Sequence, residues 1–229
     1  SRRSIRWFER EIAQFYQKPI FSIQAKTIDE LFLEISGYQK LDHFEASSII
    51  YQKLKENNDY KETFSNFYAW SKSALQDFNE IDLYTSEANL LFEQLLDLNA
   101  INLRFSEGER SEFIKSHQKF LEQLQKIYSD LKQYMHREKK AYQGHYFREA
   151  FKKLNPYLND GHSRFVFAGF NAFSAIEKDM VKIIVNRPDN FIFWDINEVL
   201  LEDSLHDASF FIRQYIQEWE FLKDKKIAP

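Results

Sequence analysis

The sequence predicts an α/β protein that is mostly helical, in which a partial parallel sheet carries a large inserted helical subdomain. From Asp42 to about Leu154, apolar residues recur almost without interruption at the spacing of amphipathic helices. Two short apolar runs follow, at 164–170 and 191–194, and one helical segment separates them, which is the pattern of a βαβ unit. Only 5 glycines and 4 prolines occur in 229 residues, which argues against a turn-rich all-β fold.

The N-terminal segment contains a predicted helix followed by a short strand. Apolar residues on one helical face predict the helix over residues 4–17, with Ser4 as its N-cap. Pro19 ends this helix because proline cannot continue it. Residues 20–23 then have the composition of a strand.

A second helix is predicted over residues 28–36. Thr27 and Glu30 have the spacing of a capping box, in which each side chain accepts a hydrogen bond from the other residue's backbone. Gly37 ends the helix because glycine readily adopts the left-handed conformation of a C-cap.

The helical block contains five further predicted helices. Four of them have apolar residues at i, i+3, i+4 and i+7, and they cover 42–57, 63–79, 84–98 and 107–141. A fifth helix, over 146–154, is expected to end before Pro156. The predicted core face of the longest helix consists of Phe113, Phe120, Leu124, Ile127, Leu131 and Tyr134.

The C-terminal part supplies the sheet and a closing helix. A helix over 174–186 connects the two apolar runs, and their apolar character predicts a parallel sheet covered on both faces. An amphipathic helix over 207–224 follows. We therefore predict an α/β subdomain formed by residues 1–40 and 160–229, with residues 41–159 inserted as a helical subdomain.

Composition excludes several classes of protein. With 44% hydrophobic and 29% charged residues, the chain is expected to fold into a globular protein. A net charge of -4 leaves no general basic field for nucleic acid, although a local basic patch remains compatible with it. The absence of cysteine excludes disulfides and thiolate zinc sites, and it fits the reducing cytoplasm that we expect as the location.

The lengths of the apolar runs and the first residues of the chain indicate whether the sequence contains a membrane span or a signal segment. Its apolar runs are shorter than the roughly 18 residues that a spanning helix needs, so no membrane association is expected. The chain opens at Ser1-Arg2-Arg3, with neither methionine nor a signal segment. We expect it to be part of a longer protein.

No catalytic residue, metal site or cofactor is predicted. The 6 histidines have no HExxH or HxH spacing, and the sequence contains no GxGxxG, GxxxxGK[ST] or GxSxG motif. The carboxylates Asp77, Glu80 and Asp82 resemble a metal loop but are interpreted as helix caps and dipole partners. Asp195 follows the second apolar run, where sites of parallel sheets assemble, but is interpreted as the cap of the next turn.

Basic residues form two clusters. The predicted nucleic-acid-binding residues lie at the start of the first helix and are Arg2, Arg3, Arg6 and Arg10. Guanidinium groups suit phosphate contacts, whereas Glu9 and Glu11 favour the alternative of a solvated face. Trp7 lies among the arginines and could stack on bases if it faces outward, but its neighbours on the apolar spacing lead us to expect that it is buried. The second cluster consists of His136, Arg137, Lys139, Lys140, His145, Arg148, Lys152 and Lys153.

Several short motifs occur in an ordered series along the chain. They are Arg3 to Phe8, Lys18-Pro19-Ile20, Thr27 to Phe32, Leu75 to Asp82, Ala141 to Gly144, Tyr146 to Glu149, Phe165 to Ala172 with Glu177, Phe193-Trp194-Asp195, and His206-Asp207-Ala208. In their order and spacing the chain resembles the N-terminal region of the AddB-like helicase–nuclease family, in its Bacteroidetes-type form. The resemblance covers nearly the whole chain.

The resemblance implies a partial P-loop helicase-like sheet from an inactivated superfamily 1 helicase core. In such helicases, the segment at the position of Arg2 to Arg10 contacts single-stranded DNA. An active helicase carries Mg²⁺-binding carboxylates after the strand that matches 165–170, but here the residues are Ala168-Gly169-Phe170-Asn171. The PD-(D/E)XK nuclease carboxylates and lysine of the family would lie beyond Pro229, so any exonuclease activity would belong to the parent protein.

These observations lead to one functional expectation and one rival. We expect a noncatalytic scaffold and DNA-contacting segment of a bacterial double-strand-break repair helicase–nuclease, with degenerate ATPase motifs. Its expected partners are weakly bound single-stranded DNA and a RecB/AddA-like helicase subunit. The rival is a helical protein–protein docking module with no nucleic-acid role, because 23 phenylalanines and 12 tyrosines could form an exposed groove. An active nucleotide hydrolase is disfavoured because the phosphate and metal motifs are both missing.

Overall fold

The computed structural model describes residues 2–16, 23–56, 60–104, 109–161, 164–203 and 206–223. Within these ranges the protein is mostly helical, with two small parallel sheets of two strands each. The chain divides into two compact units, residues 1–150 (the first unit) and 151–229 (the second unit). This boundary differs from the predicted grouping of 1–40 with 160–229.

Seven helices follow the predicted order closely. They are α1 (Arg2–Tyr16), α2 (Ile28–Ser36), α3 (His43–Lys55), α4 (Phe64–Tyr84), α5 (Ala88–Arg104), α6 (Glu109–Glu138) and α7 (Gln143–Asp160). Of these, α7 begins in the first unit and ends in the second. The agreement has a local cause, because each helix has an apolar face with the period of 3.6 residues.

A two-stranded parallel sheet in the first unit was not predicted. Its strands are β1 (Gln39–Lys40) and β2 (Lys140–Ala141), with Gln39 opposite Lys140. The Leu41 N–H donates to the Ala141 carbonyl at 3.0 Å. The continuous helix predicted over 107–141 is therefore wrong at its end, where Lys139 adopts a φ of 54°. This pairing ties the segment after α2 to the helical block, which explains why the first unit includes residues 1–40.

The core of the first unit is built from aromatic and aliphatic side chains. Phe32 of α2 meets Phe147 of α7 edge to face, with ring centroids 5.0 Å apart. On α6, the predicted core residues Ile127 and Leu131 are buried, but Phe120 is 43% exposed. The Phe113 side chain lies outside the described part of the chain.

Both ends of α2 have the predicted caps. The Glu30 N–H donates to Thr27 Oγ1 at 3.2 Å, and the Thr27 N–H donates to Glu30 Oε2 at 2.9 Å. Gly37 has a φ of 70° and ends the helix in the left-handed conformation. Hydrogen bonding from the Thr27 backbone, assisted by Arg2, lowers the pKa of Glu30 to about 2.

We expect Glu30→Gln to lower the free energy of unfolding at pH 7 by about 0.5–1 kcal/mol, because it removes the charge that the cap and Arg2 stabilise. Since the pKa of Glu30 is lower in the folded state, its contribution is complete above the ordinary value of 4.5. It is lost as the pH falls toward 2, so the difference between the two proteins should shrink over that interval. Urea denaturation at several pH values measures it.

Glu93→Gln is the matched control for this experiment, because Glu93 is an exposed carboxylate of α5. Glu93→Gln should change the free energy of unfolding little at either end of the pH range. An equal loss of stability in the two variants would contradict a specific role for the capping carboxylate.

The second unit contains the predicted βαβ arrangement. Strands β3 (Val166–Ala168) and β4 (Phe191–Phe193) pair in parallel, and α8 (Ala175–Val185) lies between them in sequence. Asn190 links these elements, since its side chain accepts from the Phe165 N–H at 2.8 Å and donates to the Ile184 carbonyl at 2.7 Å. Of the third predicted strand, residues 20–22 lie outside the described residues.

The prediction that the sheet is covered on both faces is wrong for the described part of the second unit. Phe167 is buried on one face, whereas Val166, Phe191 and Phe193 on the other are 61%, 47% and 59% exposed. Alternation along a strand places these three side chains together on one side. No described element covers that side of the sheet.

The C-terminal end of α7 differs from the prediction. Helix α7 continues through Pro156, where the sequence predicted an end. Leu154 and Leu158 are both buried on either side of the proline, and this burial offsets the lost backbone hydrogen bond.

The predicted closing helix over 207–224 is interrupted. A 3₁₀ turn at Asp207–Ser209 leads into α10 (Phe210–Glu218), and α11 (Glu220–Lys223) follows. Between them Trp219 adopts an extended conformation and is fully buried. The short helix α9 (Glu198–Glu202) precedes this group.

Candidate nucleic-acid interface

Helix α1 carries all four arginines that the sequence analysis selected. It spans 15 residues, and none of them is buried. The helix starts at Arg2, so the predicted N-cap, Ser4, lies inside its first turn. Because the whole helix is accessible, its polar side chains are available to a partner.

The four arginines form one stripe along α1. With 3.6 residues per turn, positions 2, 3, 6 and 10 fall within about a third of the helix circumference. The apolar residues Ile5, Phe8, Ile12, Phe15 and Tyr16 lie on the other side. The structure therefore brings the predicted residues together as a continuous basic surface, which we call the arginine stripe (Arg2, Arg3, Arg6 and Arg10).

Only part of the arginine stripe is paired with carboxylates. Arg2 Nε donates to Glu30 Oε1 at 2.9 Å, and Arg10 Nη2 lies 3.4 Å from Glu11 Oε1. Both arginine side chains remain 82% and 66% exposed, so these ion pairs are weak. Arg3 and Arg6 are exposed and form no ion pair with any residue in the described ranges.

The expectation that Trp7 is buried is wrong. Its side chain is 59% exposed. The reason is that no described part of the chain buries any residue of α1, on either side of the helix. Trp7 lies away from the apolar face, with Arg3 one turn before it and Arg10 one turn after it. An accessible aromatic ring therefore lies beside the arginine stripe.

The apolar face of α1 is also accessible. Phe8, Phe15 and Tyr16 are 44%, 81% and 47% exposed, and Ile5 and Ile12 are partly exposed. Nothing within the described ranges buries any of them. This face is a second surface on the same helix, distinct from the arginine stripe.

Basic residues of the second cluster that belong to the first unit have partners within the protein. Lys140 Nζ donates to Glu45 Oε1 at 2.7 Å, and this hydrogen bond raises the pKa of Lys140. Lys139 Nζ lies 5.0 Å from the centre of the Tyr38 ring. Arg148 Nε donates to the Asp82 carbonyl, and His145 is buried. These internal contacts make this cluster a weaker candidate than α1.

The carboxylate Asp82 has a structural role that the sequence analysis missed. It is 2% exposed, and it accepts hydrogen bonds from Tyr128 Oη at 2.6 Å and Tyr142 Oη at 2.7 Å. Lys132 Nζ lies 3.2 Å from the same carboxylate. The interpretation of Asp82 as a helix cap is therefore wrong. In the described residues no group of histidines and carboxylates is arranged to hold a metal ion.

A second carboxylate, partly buried, lies beside an open cleft of about 350 Å³ in the first unit. Asp29 accepts from Gln143 Nε2 at 3.1 Å and also from Lys40 and Tyr146. Burial acts to raise the pKa of Asp29, but these hydrogen bonds outweigh it and leave the pKa lowered. With three donors already bound, this carboxylate is a structural anchor rather than a ligand site.

Asp195 does not have the role that the sequence predicted. The next helix, α9, is capped by Asn197, whose Oδ1 accepts from the Val199 N–H at 2.9 Å. Asp195 itself is exposed after β4. The prediction that it caps the next turn is wrong.

No known protein family, curated protein or solved structure matches this chain. Among the helices in the described ranges, none combines the length and the apolar character needed to cross a membrane. The arginine stripe on α1 is an exposed basic surface of the first unit.

Proposed function

We propose that this chain is a noncatalytic, DNA-contacting scaffold whose arginine stripe binds the phosphates of single-stranded DNA. The observation that carries the proposal is the placement of four arginines on one side of a helix that has no buried residue. Guanidinium groups donate in a geometry that matches phosphate oxygens, and such contacts are independent of base sequence.

A noncatalytic role is supported by the residues at the end of β3 and directly after it. Ala168, Gly169, Phe170 and Asn171 supply no carboxylate at the end of this strand. Mg²⁺ prefers hard oxygen ligands, and nucleotide hydrolysis depends on a metal ion held against the phosphates. The parallel β3–α8–β4 unit is compatible with a degenerate, P-loop helicase-like sheet, and we propose this origin for the second unit.

The wider setting of the proposal is a bacterial helicase–nuclease of the AddB-like kind that processes double-strand breaks. In that setting the chain would work in the cytoplasm beside a RecB/AddA-like helicase subunit. Nuclease chemistry would belong to other parts of the parent protein. The proposal is supported by the order of the sequence motifs, together with the exposed arginine stripe.

The proposal predicts weak, salt-sensitive binding of single-stranded DNA. We expect the double variant Arg3→Ala/Arg6→Ala to lower affinity at low salt by about tenfold, equally for all base sequences, because it removes two phosphate contacts. The slope of log affinity against log salt should become shallower by about 1.4, since each contact with a single strand contributes about 0.7. Fluorescence anisotropy of a labelled oligonucleotide measures both quantities.

The matched control is Arg164→Ala/Arg187→Ala, which removes the same charge from the second unit. Arg164 lies 3.6 Å from Asp189, and Arg187 donates to Asn159 at 2.9 Å. The control should bind DNA like the unmodified protein. Equal losses in the two double variants would indicate a general charge effect and overturn the assignment to α1.

The exposed apolar face of α1 supports the rival function of a protein–protein docking module. Large accessible apolar surfaces mark interaction sites in many proteins. The two functions make opposite predictions for the binding of nucleic acid, because the docking-module function assigns no role to the arginine stripe. If the unmodified chain does not bind single-stranded DNA at low salt, the rival is favoured.

A further inference from the structure

We propose that Trp7 stacks against an unpaired base and thereby makes α1 selective for single-stranded over duplex DNA. This inference rests on the proposed function, since the arginine stripe must first hold the strand. It adds a chemical basis for selectivity that phosphate contacts alone lack. Phosphates are present on single strands and duplexes alike, whereas base faces are accessible only on single strands.

The position of Trp7 is the first observation. It lies four residues after Arg3 and three before Arg10, so both arginines are its neighbours on the helix surface. At 1.5 Å per residue, Arg3 and Arg10 are about 10 Å apart along the axis, with Trp7 between them. A strand whose phosphates contact both arginines would pass beside the indole ring, within reach of a base that turns toward it.

The accessibility of Trp7 is the second observation. Its side chain is 59% exposed, and it makes no ring contact with another described residue. The other three tryptophans are engaged in the protein. Trp70 packs edge to face on Phe67 at 4.9 Å, and Trp194 and Trp219 join the aromatic cluster around Tyr215.

The apolar face of α1 does not account for the exposure of Trp7. That face is centred on Ile5 and Ile12, and Trp7 lies about 80° around the helix from Phe15, the nearest residue of the face. A partner that covered the apolar face would therefore leave Trp7 in solvent. Stacking with a base gives this large aromatic side chain a role on the charged side of the helix.

Three variants of the full chain test the inference, with labelled oligothymidine and a duplex of equal length as probes. We expect Trp7→Ala to lower affinity for oligothymidine about five- to hundredfold while changing duplex affinity less than twofold. The salt slope should not change, because no phosphate contact is lost. Trp7→Phe should retain most of the affinity, because it retains an aromatic face.

The matched control is Phe15→Ala, because Phe15 is an 81% exposed aromatic residue of α1 outside the arginine stripe. It should bind both probes like the unmodified chain. An abasic oligonucleotide provides a second control, since it has phosphates but no bases. The unmodified chain should bind it as weakly as Trp7→Ala binds oligothymidine.

Intrinsic fluorescence gives an independent readout. Oligothymidine should quench part of the tryptophan emission of the unmodified chain, and Trp7→Phe should abolish that quenching while DNA is still bound. If Arg3→Ala/Arg6→Ala weakens binding but Trp7→Ala does not, the stacking inference is overturned and the proposed function stands. If the unmodified chain binds neither probe at low salt, both are overturned.

Discussion

Replacing Asp82 with Ala is expected to lower the free energy of unfolding of the first unit by about 3 kcal/mol. Asp82 is almost fully buried and accepts hydrogen bonds from Tyr128 and Tyr142. Its removal leaves both phenol hydroxyls without their acceptor inside the protein, and Lys132 loses its counter-charge. Each unsatisfied buried polar group costs about 1–3 kcal/mol.

The environment of the two tyrosines supports this expectation. Burial and the neighbouring carboxylate raise the pKa of Tyr142 well above its ordinary value, and they act in the same direction on Tyr128. Both hydroxyls are therefore protonated donors at neutral pH, and their donor role requires the acceptor that Asp82 provides.

Urea denaturation of the full chain, followed by circular dichroism, measures the effect. Asp77→Ala is the matched control, because Asp77 is an exposed carboxylate of the same helix. It should change stability by less than about 0.5 kcal/mol. A loss for Asp82→Ala no larger than that for Asp77→Ala would show that the network does not stabilise the fold.

Gly144→Ala is expected to destabilise the first unit by about 2 kcal/mol or more. Gly144 lies in the first turn of α7, and its N–H donates to Asn79 Oδ1 of α4 at 2.7 Å. A methyl group at this position would lie 2.8 Å from Asp82 Cβ and even closer to the Asn79 carbonyl oxygen. The obstructing atoms include backbone, so the helices would have to separate.

Helix propensity alone predicts that the same substitution would raise the stability of the protein. Alanine is favoured over glycine inside a helix by about 1 kcal/mol, so an unobstructed Gly144→Ala would stabilise α7. Thermal denaturation therefore separates the two effects by the direction of the shift in Tm. A higher Tm would contradict the close approach of α4 and α7.

Gly169→Ala is the control for backbone strain. Gly169 has a φ of 75°, and a methyl group there would meet nothing within 4 Å. Gly169→Ala should therefore lower the free energy of unfolding only by the cost of placing alanine in the left-handed conformation, which is about 1–2 kcal/mol. Gly144→Ala acts by steric overlap instead, so substitution by serine should be at least as damaging as substitution by alanine.

The sequence by itself determined the features that depend on neighbouring residues. Helix α2 begins and ends at its predicted caps because Thr27, Glu30 and Gly37 act within one turn. The parallel pairing of β3 and β4 was predicted because two apolar runs flank a single helix. The choice of the four arginines as candidate residues was equally local, since they cluster at the start of the first helix. In the folded helix their spacing places them on one side of α1.

Only the tertiary structure decided the contacts between distant residues. Gln39 pairs with Lys140, and Asp82 binds Tyr128 and Tyr142, across separations that no periodic pattern encodes. The exposure of Trp7 was likewise undetermined, because local spacing does not reveal which faces of a helix the rest of the chain covers. The physical reason is common to all three: packing selects among side chains that are equivalent in local sequence, and it acts only once the chain is folded.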